Sequence, residues 1–182
     1  MAIEHNWKTV AQIKPALPAN VDYWLVKVKR LGSALKKRYP DITLEQLSQG
    51  QTVLKPDERA MLHTREPLAY ERLVRQHEGD RTIILAKTVI LSDTYLYYRP
   101  TIDALGNASI GEDFLFKHPS IKRSGFHLAQ FTGAEIQTIF NVEIPEQSAL
   151  FWARASLFYL NQPYRLLVKE FFLEIPEFVG ES

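Results

Sequence analysis

The segment "AYERLVRQHEGDRTIILAKTVI", residues 69–90, constrains this chain more than any other. Two β-prone runs of roughly ten residues each meet at Glu78-Gly79-Asp80, a turn sequence that folds the runs back on one another as an antiparallel hairpin. A second pair of apolar runs, "ALFWARASLFYL" and "RLLVKEFFLEIP", flanks a turn at Asn161-Gln162-Pro163-Tyr164. "DITLEQLSQGQTVLKP" reads as a long strand or bent hairpin, and "IKRSGFHLAQF" as a further β segment. The total is about six antiparallel strands, with helices between the hairpins rather than in regular alternation, so the expected class is a single α+β domain on an antiparallel sheet.

The helical stretches have readable ends. After an N-terminal arm (residues 1–19) closing on "KPALPAN", Asn20 can cap "VDYWLVKVKRL", where Val21, Trp24, Leu25 and Val28 form one stripe. Ser33 can cap "ALKKRY", and Pro40 stops it. Ser92-Asp93 caps "TYLYYRPTIDALG", helical up to Pro100, and "SIGEDFLFKHP" is a short helix ended by Pro119. Nothing is assigned to Thr132–Gln147. Two strands are apolar on both faces, so helices are expected over one side of the sheet and a cavity on the other.

Composition removes several functions. With 22 basic and 21 acidic side chains the net charge is +1, so nothing global attracts nucleic acid or a membrane, and any anion has to be gripped locally. There is no cysteine, hence no disulfide and no thiolate ligand or nucleophile. The N-terminus lacks the pattern of a signal peptide, no apolar run approaches the ~18–20 residues of a membrane span, and a cytoplasmic location is expected. The five histidines, His5, His63, His77, His118 and His127, show no metal-ligand spacing. Phosphate-loop, dinucleotide and serine-elbow motifs are missing too.

Charged residues inside β-prone runs carry what chemistry is left. On alternation, Arg72 shares a face with Tyr70 and Val74, Arg75 lies on the opposite face, and Lys87 returns on the partner strand. Glu170 stands between Val168 and Phe172 on one face of the last strand. Taken singly, each reads as a solvated strand charge. If buried, an arginine and a glutamate need each other or a charged ligand. Trp152 and Arg154 read as a core tryptophan and an outward-facing arginine.

In order along the chain, "DYWL", "GSALKKRY", "YERLV…GDRTIILAKTVI", "LGNASIGEDFLF" and "WARASLFYLNQPYRLLVKEFFLEIP" resemble the chorismate lyase family. The resemblance implies an antiparallel sheet with helical flaps closing over an aromatic-acid site, and conversion of chorismate to 4-hydroxybenzoate and pyruvate for ubiquinone or plastoquinone synthesis. It implies a monomer with no metal or organic cofactor and no partner beyond substrate and product. Carried over by motif, Arg72 grips the ring carboxylate with the amide of Ile110, and Glu170 meets the oxygen at the far end as general acid/base. A carboxyl among apolar side chains tends toward a raised pKa, which suits proton donation.

Lys87 stands where the family has an arginine and is expected on the second carboxylate. Arg75 is the alternative to Arg72 if the hairpin register slips by one residue. Effector domains of some transcription regulators share the implied fold and bind small carboxylates or sugars without turnover. The roughly 40 residues before the first strand are too few for the winged helix that precedes such domains, which favours the enzyme. A scaffolding protein with an unused cavity is the third reading.

Overall fold

Gly79, at φ +58°, occupies the left-handed conformation that a two-residue hairpin turn demands, and it joins β3 (Leu68–Glu78) to β4 (Arg81–Leu91). This hairpin is the spine of one antiparallel sheet in the computed structural model, which describes residues 7–177. The other strands are β1 (Lys8–Thr9), β2 (Thr43–Val53), β5 (Lys122–Arg123), β6 (His127–Thr132), β7 (Leu150–Tyr159) and β8 (Arg165–Phe172). Their spatial order is β1-β6-β7-β8-β4-β3-β2, with β5 against β7. The expected long strands are β2, β3, β4, β6, β7 and β8; β1 and β5 are two-residue additions.

Helices α1 (Val10–Ile13), α2 (Ala19–Val21), α3 (Leu31–Arg38), α4 (Pro56–Leu62), α5 (Ser92–Asp103), α6 (Ile110–Asp113) and α7 (Gly133–Phe140) fill the connections. The Trp24 stripe departs from expectation. Asp22–Lys27 winds as a π-helix, closed by Val28 N–H donating to Tyr23 O at 2.9 Å. Helix α5 runs through Pro100 to Asp103, whose carboxylate accepts from Gln49, Tyr95 and Arg99 and so ties down the last turn. Helices α4 and α7 lie in stretches to which the sequence assigned nothing; α7 is opened by Thr132, whose hydroxyl accepts from Glu135 N–H.

Both faces of the sheet are covered. On one face, the π-helix and α3 pack on Ile84 and Phe172, while Tyr95, Ile102 and Ile110 of α5 and α6 pack on Ile90, Leu166 and Val168. On the other, α7 packs on Leu85, Ala153 and Phe171, and Leu62 of α4 meets Val89, Ala155 and Leu167. Helices were expected over one side and a cavity on the other. Instead the cavity lies beneath α3 and α6, between them and the sheet.

Candidate active site

Antiparallel partners share a face, so the register reads out the floor of this cavity directly. One row across the sheet is Arg72, Thr88, Val168, Ser156; the next is Val74, Ala86, Glu170, Arg154. Arg72 and Glu170 thus lie two strands and one pleat repeat apart, with Cα atoms on the order of 12 Å from each other. Both line the same cavity, together with Leu31, Ile110 and Phe158. That spacing suits a single ring held at its two ends.

Arg72 is 1% exposed and has no carboxylate partner among the described residues. Its Nη2 donates to the carbonyls of Gly106 (2.9 Å) and Ala108 (2.7 Å), and its Nε reaches Gln46 Oε1 at 3.4 Å. These bonds fix the guanidinium plane without neutralising its charge. Burial alone pulls its pKa from 12.5 down to about 10. With Nε and Nη2 engaged, Nη1 is the donor left on the cavity, and a desolvated guanidinium of this kind is matched by a carboxylate that accepts from it.

The wall above Arg72 is built by the loop leading into α6. Ser109 caps this short helix, its Oγ accepting from Glu112 N–H, and Ile110 N–H is the first of the helix, with no intrahelical carbonyl to receive it. Arg30 and the Ser33 N–H bond the Glu112 carboxylate, which latches α3 to α6 across the cavity. Gly32 makes that approach feasible: a Cβ there would lie 3.0 Å from Glu112 Cγ.

At the far pole Glu170 is 8% exposed, and its surroundings are not the apolar ones expected. Arg154 Nε donates to Glu170 Oε1 at 2.8 Å, and Arg123 Nη2 stands 3.8 Å from the same oxygen. Arg154 is wholly buried, not outward-facing. Its Nη1 also donates to the carbonyls of Trp24, Leu25 and Val28, taking up the C-terminal end of the π-helix, and its guanidinium lies over the Phe126 ring. Arg154 therefore orients Glu170 and anchors the π-helix through the same guanidinium.

Lys87 is a correction. A two-residue turn without irregularity would place Lys87 opposite Arg72, on the cavity face. A bulge between Gln76 and His77 shifts the register by one, so Lys87 stands opposite Leu73 and points to the other side of the sheet. There it pairs with Glu58 (3.0 Å) and Glu71 (3.4 Å). Arg75 shares that side, held by Thr82 Oγ1, Asp80 O and Glu45. The structure brings Arg72, Ile110 and Glu170 together and leaves Lys87 and Arg75 out. Among the described residues, no group of three or more His, Asp or Glu could hold a metal ion.

Sequence reasoning missed Arg123 and misread Arg154. A signal for Arg154 was present: the last hairpin closes with Tyr159 opposite Arg165, and counting back places Arg154 opposite Glu170. Arg123 sits on a two-residue strand and left no comparable signal.

The two arginines of β3 separate the site from its surroundings. Tested with 4-hydroxybenzoate, the ligand that the sequence resemblance implies, Arg72→Ala is expected to weaken binding by about 100-fold, the usual cost of losing a buried charged partner. Arg75→Ala should change it by less than about twofold, since Arg75 meets only surface neighbours. Titration calorimetry on both variants measures the contrast, and the reverse order would remove Arg72 from the ligand.

Fold and site define a class: an antiparallel α+β domain with a pocket between sheet and helices that is lined by a buried arginine and a buried glutamate. The chorismate lyase family model matches residues 1–180, and the chain belongs to that family. None of the curated proteins matches the sequence. Among solved structures, the PhnF C-terminal domain is similar at TM-score 0.57 and 13% identity, over 77% of this chain and 88% of that one. The C-terminal domain of the histidine utilization repressor from Pseudomonas syringae pv. tomato str. DC3000 is similar at TM-score 0.52 and 7% identity, over 78% and 98%. Identities this low speak to the fold alone. No helix among the described residues is long and apolar enough to cross a membrane.

Proposed function

We propose that this chain is a lyase that converts chorismate to 4-hydroxybenzoate and pyruvate, the entry to a quinone head group. The observation that carries the reading is the buried, carboxylate-free guanidinium of Arg72 facing the same cavity as Glu170. Chorismate is a dianion with one carboxylate on its ring and one on its enolpyruvyl arm. Arg72 and the Ile110 amide hold the ring carboxylate, which places the oxygen-bearing carbons at the Glu170 end. The bond from C3 to the enolpyruvyl oxygen breaks, the C4 proton leaves, and the ring becomes aromatic. Glu170 takes that proton and returns it to the methylene of the departing enolpyruvate, which becomes pyruvate. Aromatisation supplies driving force, and the protein contributes orientation and a proton path.

Similarity to regulator domains supports a second reading, a carboxylate-binding module without turnover. Purified protein mixed with chorismate, with no metal or nucleotide added, separates the two. Equal amounts of pyruvate and 4-hydroxybenzoate are expected, followed by a coupled dehydrogenase assay and chromatography. Bound chorismate without pyruvate above the spontaneous rate would leave the binding module.

A further inference from the structure

We propose that Arg123 is the residue that takes the second carboxylate of the substrate, the one on the enolpyruvyl arm. This rests on the reading of the cavity as a chorismate site and adds to it the partner for an otherwise unmatched charge.

The cations near the cavity can be sorted by reach. Lys87 is behind the sheet. Arg154 is absent from the cavity lining, its Nε and Nη1 given to Glu170 and three backbone carbonyls. Lys29 is an exposed rim residue whose Nζ donates to Val26 O at 2.9 Å. Arg72 belongs to the opposite pole. Arg123 is left: it lines the cavity, its side chain is 17% exposed, and it sits beside Glu170, where the ether carbon must lie.

Its geometry suits the task. β5 pairs Arg123 with Phe158 of β7, so the side chain shares the cavity face with Phe158 and Ser156. Nε donates to Ser156 Oγ at 3.0 Å and Nη1 donates to the Lys29 carbonyl, which fixes the plane of the group. Nη2 stands too far from Glu170 for a hydrogen bond and has no other acceptor among the described residues. The rings of Phe116, Phe126 and Phe158 lie 4.5–5.5 Å from the guanidinium carbon and keep water from it. Burial pulls the Arg123 pKa down to about 10, as for Arg72, so an incoming anion relieves a desolvated cation at each pole.

Charge agrees with this. Glu112 of the cavity lining is paired with Arg30, and Lys29 stands exposed at the rim. The buried charges at the two poles are therefore Arg72 at one and Arg123, Arg154 and Glu170 at the other, an excess of two positive charges that matches a dianion. The product 4-hydroxybenzoate keeps one of the two carboxylates. Arg123 is then a residue that discriminates substrate from product, gripping the arm through bond breaking and letting it leave as pyruvate.

The test compares two non-reacting ligands, 4-hydroxybenzoate and 3-(carboxymethoxy)-4-hydroxybenzoate, by calorimetry on wild type and on Arg123→Gln, which keeps most of the side-chain volume among the rings. Arg123→Gln is expected to weaken the two-carboxylate ligand by about 100-fold and 4-hydroxybenzoate by less than about threefold. Arg123→Lys, which restores charge without the fork, should recover part of the loss. Equal weakening of both ligands would make Arg123 a structural support, and no change in either would remove it from the site; both overturn the proposal. Wild-type protein that binds neither ligand overturns the reading of the cavity itself, a result distinct from the loss of Arg123 selectivity alone.

Discussion

Glu170→Gln is expected to lower the turnover of chorismate by about 10²–10⁴-fold, the range for removing a positioned acid/base. Affinity for 4-hydroxybenzoate should fall by less than tenfold, because the amide keeps an oxygen for Arg154 and a polar head for the ligand. The distinction follows from the geometry. One oxygen of Glu170 is held by Arg154 at 2.8 Å with Arg123 nearby, so the carboxylate is oriented from behind and its other oxygen is left for the ligand. A glutamine preserves that orientation and loses the capacity to accept a proton. Since the change also leaves Arg154 buried without a full counter-charge, a thermal melt has to accompany the assay. Glu170→Asp retains the charge while withdrawing the carboxylate by one methylene, and it too should lose most turnover in a folded protein. Pyruvate release at saturating chorismate measures both variants. Full activity in Glu170→Gln would end the acid/base assignment.

What was legible in the sequence followed from local rules. Gly79 between two alternating runs dictates the β3–β4 hairpin, and the Asn161–Tyr164 turn dictates the β7–β8 hairpin. Alternation alone put Arg72 and Glu170 on single faces of their strands, and the register places both faces on one side of the sheet. The failures share a cause, a dependence on partners far along the chain. Whether Lys87 joins Arg72 turns on one bulge at Gln76/His77, and bulges have no strong sequence mark when no glycine is involved. Whether Arg154 is exposed depends on the π-helix end that its Nη1 reaches, more than 120 residues away. Glu170 looked like a lone carboxyl among apolar residues because its two arginines lie on other strands. Helix α4 passed unread although Pro56 stands at its first turn, and the residue that gives this helix its importance, Glu58, is a polar group in the core rather than part of an apolar stripe.

Glu58 leads to the largest expected loss of stability. Its carboxylate is fully buried on the side of the sheet away from the cavity, 2.6 Å from Lys169 Nζ and 3.0 Å from Lys87 Nζ, and its Oε1 accepts from the Lys55 N–H at 3.0 Å. Glu58→Gln should destabilise the fold by about 3–5 kcal/mol, because two buried ammonium groups lose the anion between them and only Glu71 remains near Lys87. Urea denaturation at neutral pH measures this, and 4-hydroxybenzoate binding by the folded variant should be little changed, since the cluster and the cavity are on opposite faces. Exchanging Glu58 and Lys169 together for methionine should recover part of the loss, as Lys169 is then no longer a buried charge without its anion and Lys87 keeps Glu71. The pH dependence has a definite sign. Burial works to raise the Glu58 pKa, but Lys169 and Lys87 outweigh it and bring it from 4.5 to about 2. Between those values the unfolded chain binds the proton and the folded chain does not. The contribution of Glu58 is therefore complete above about pH 4.5 and is lost as pH falls toward 2. Thermal melts across that window should show a steeper acid-side decline in wild type than in Glu58→Gln. Parallel declines would mean that the two lysines do not depend on Glu58 for their place in the core.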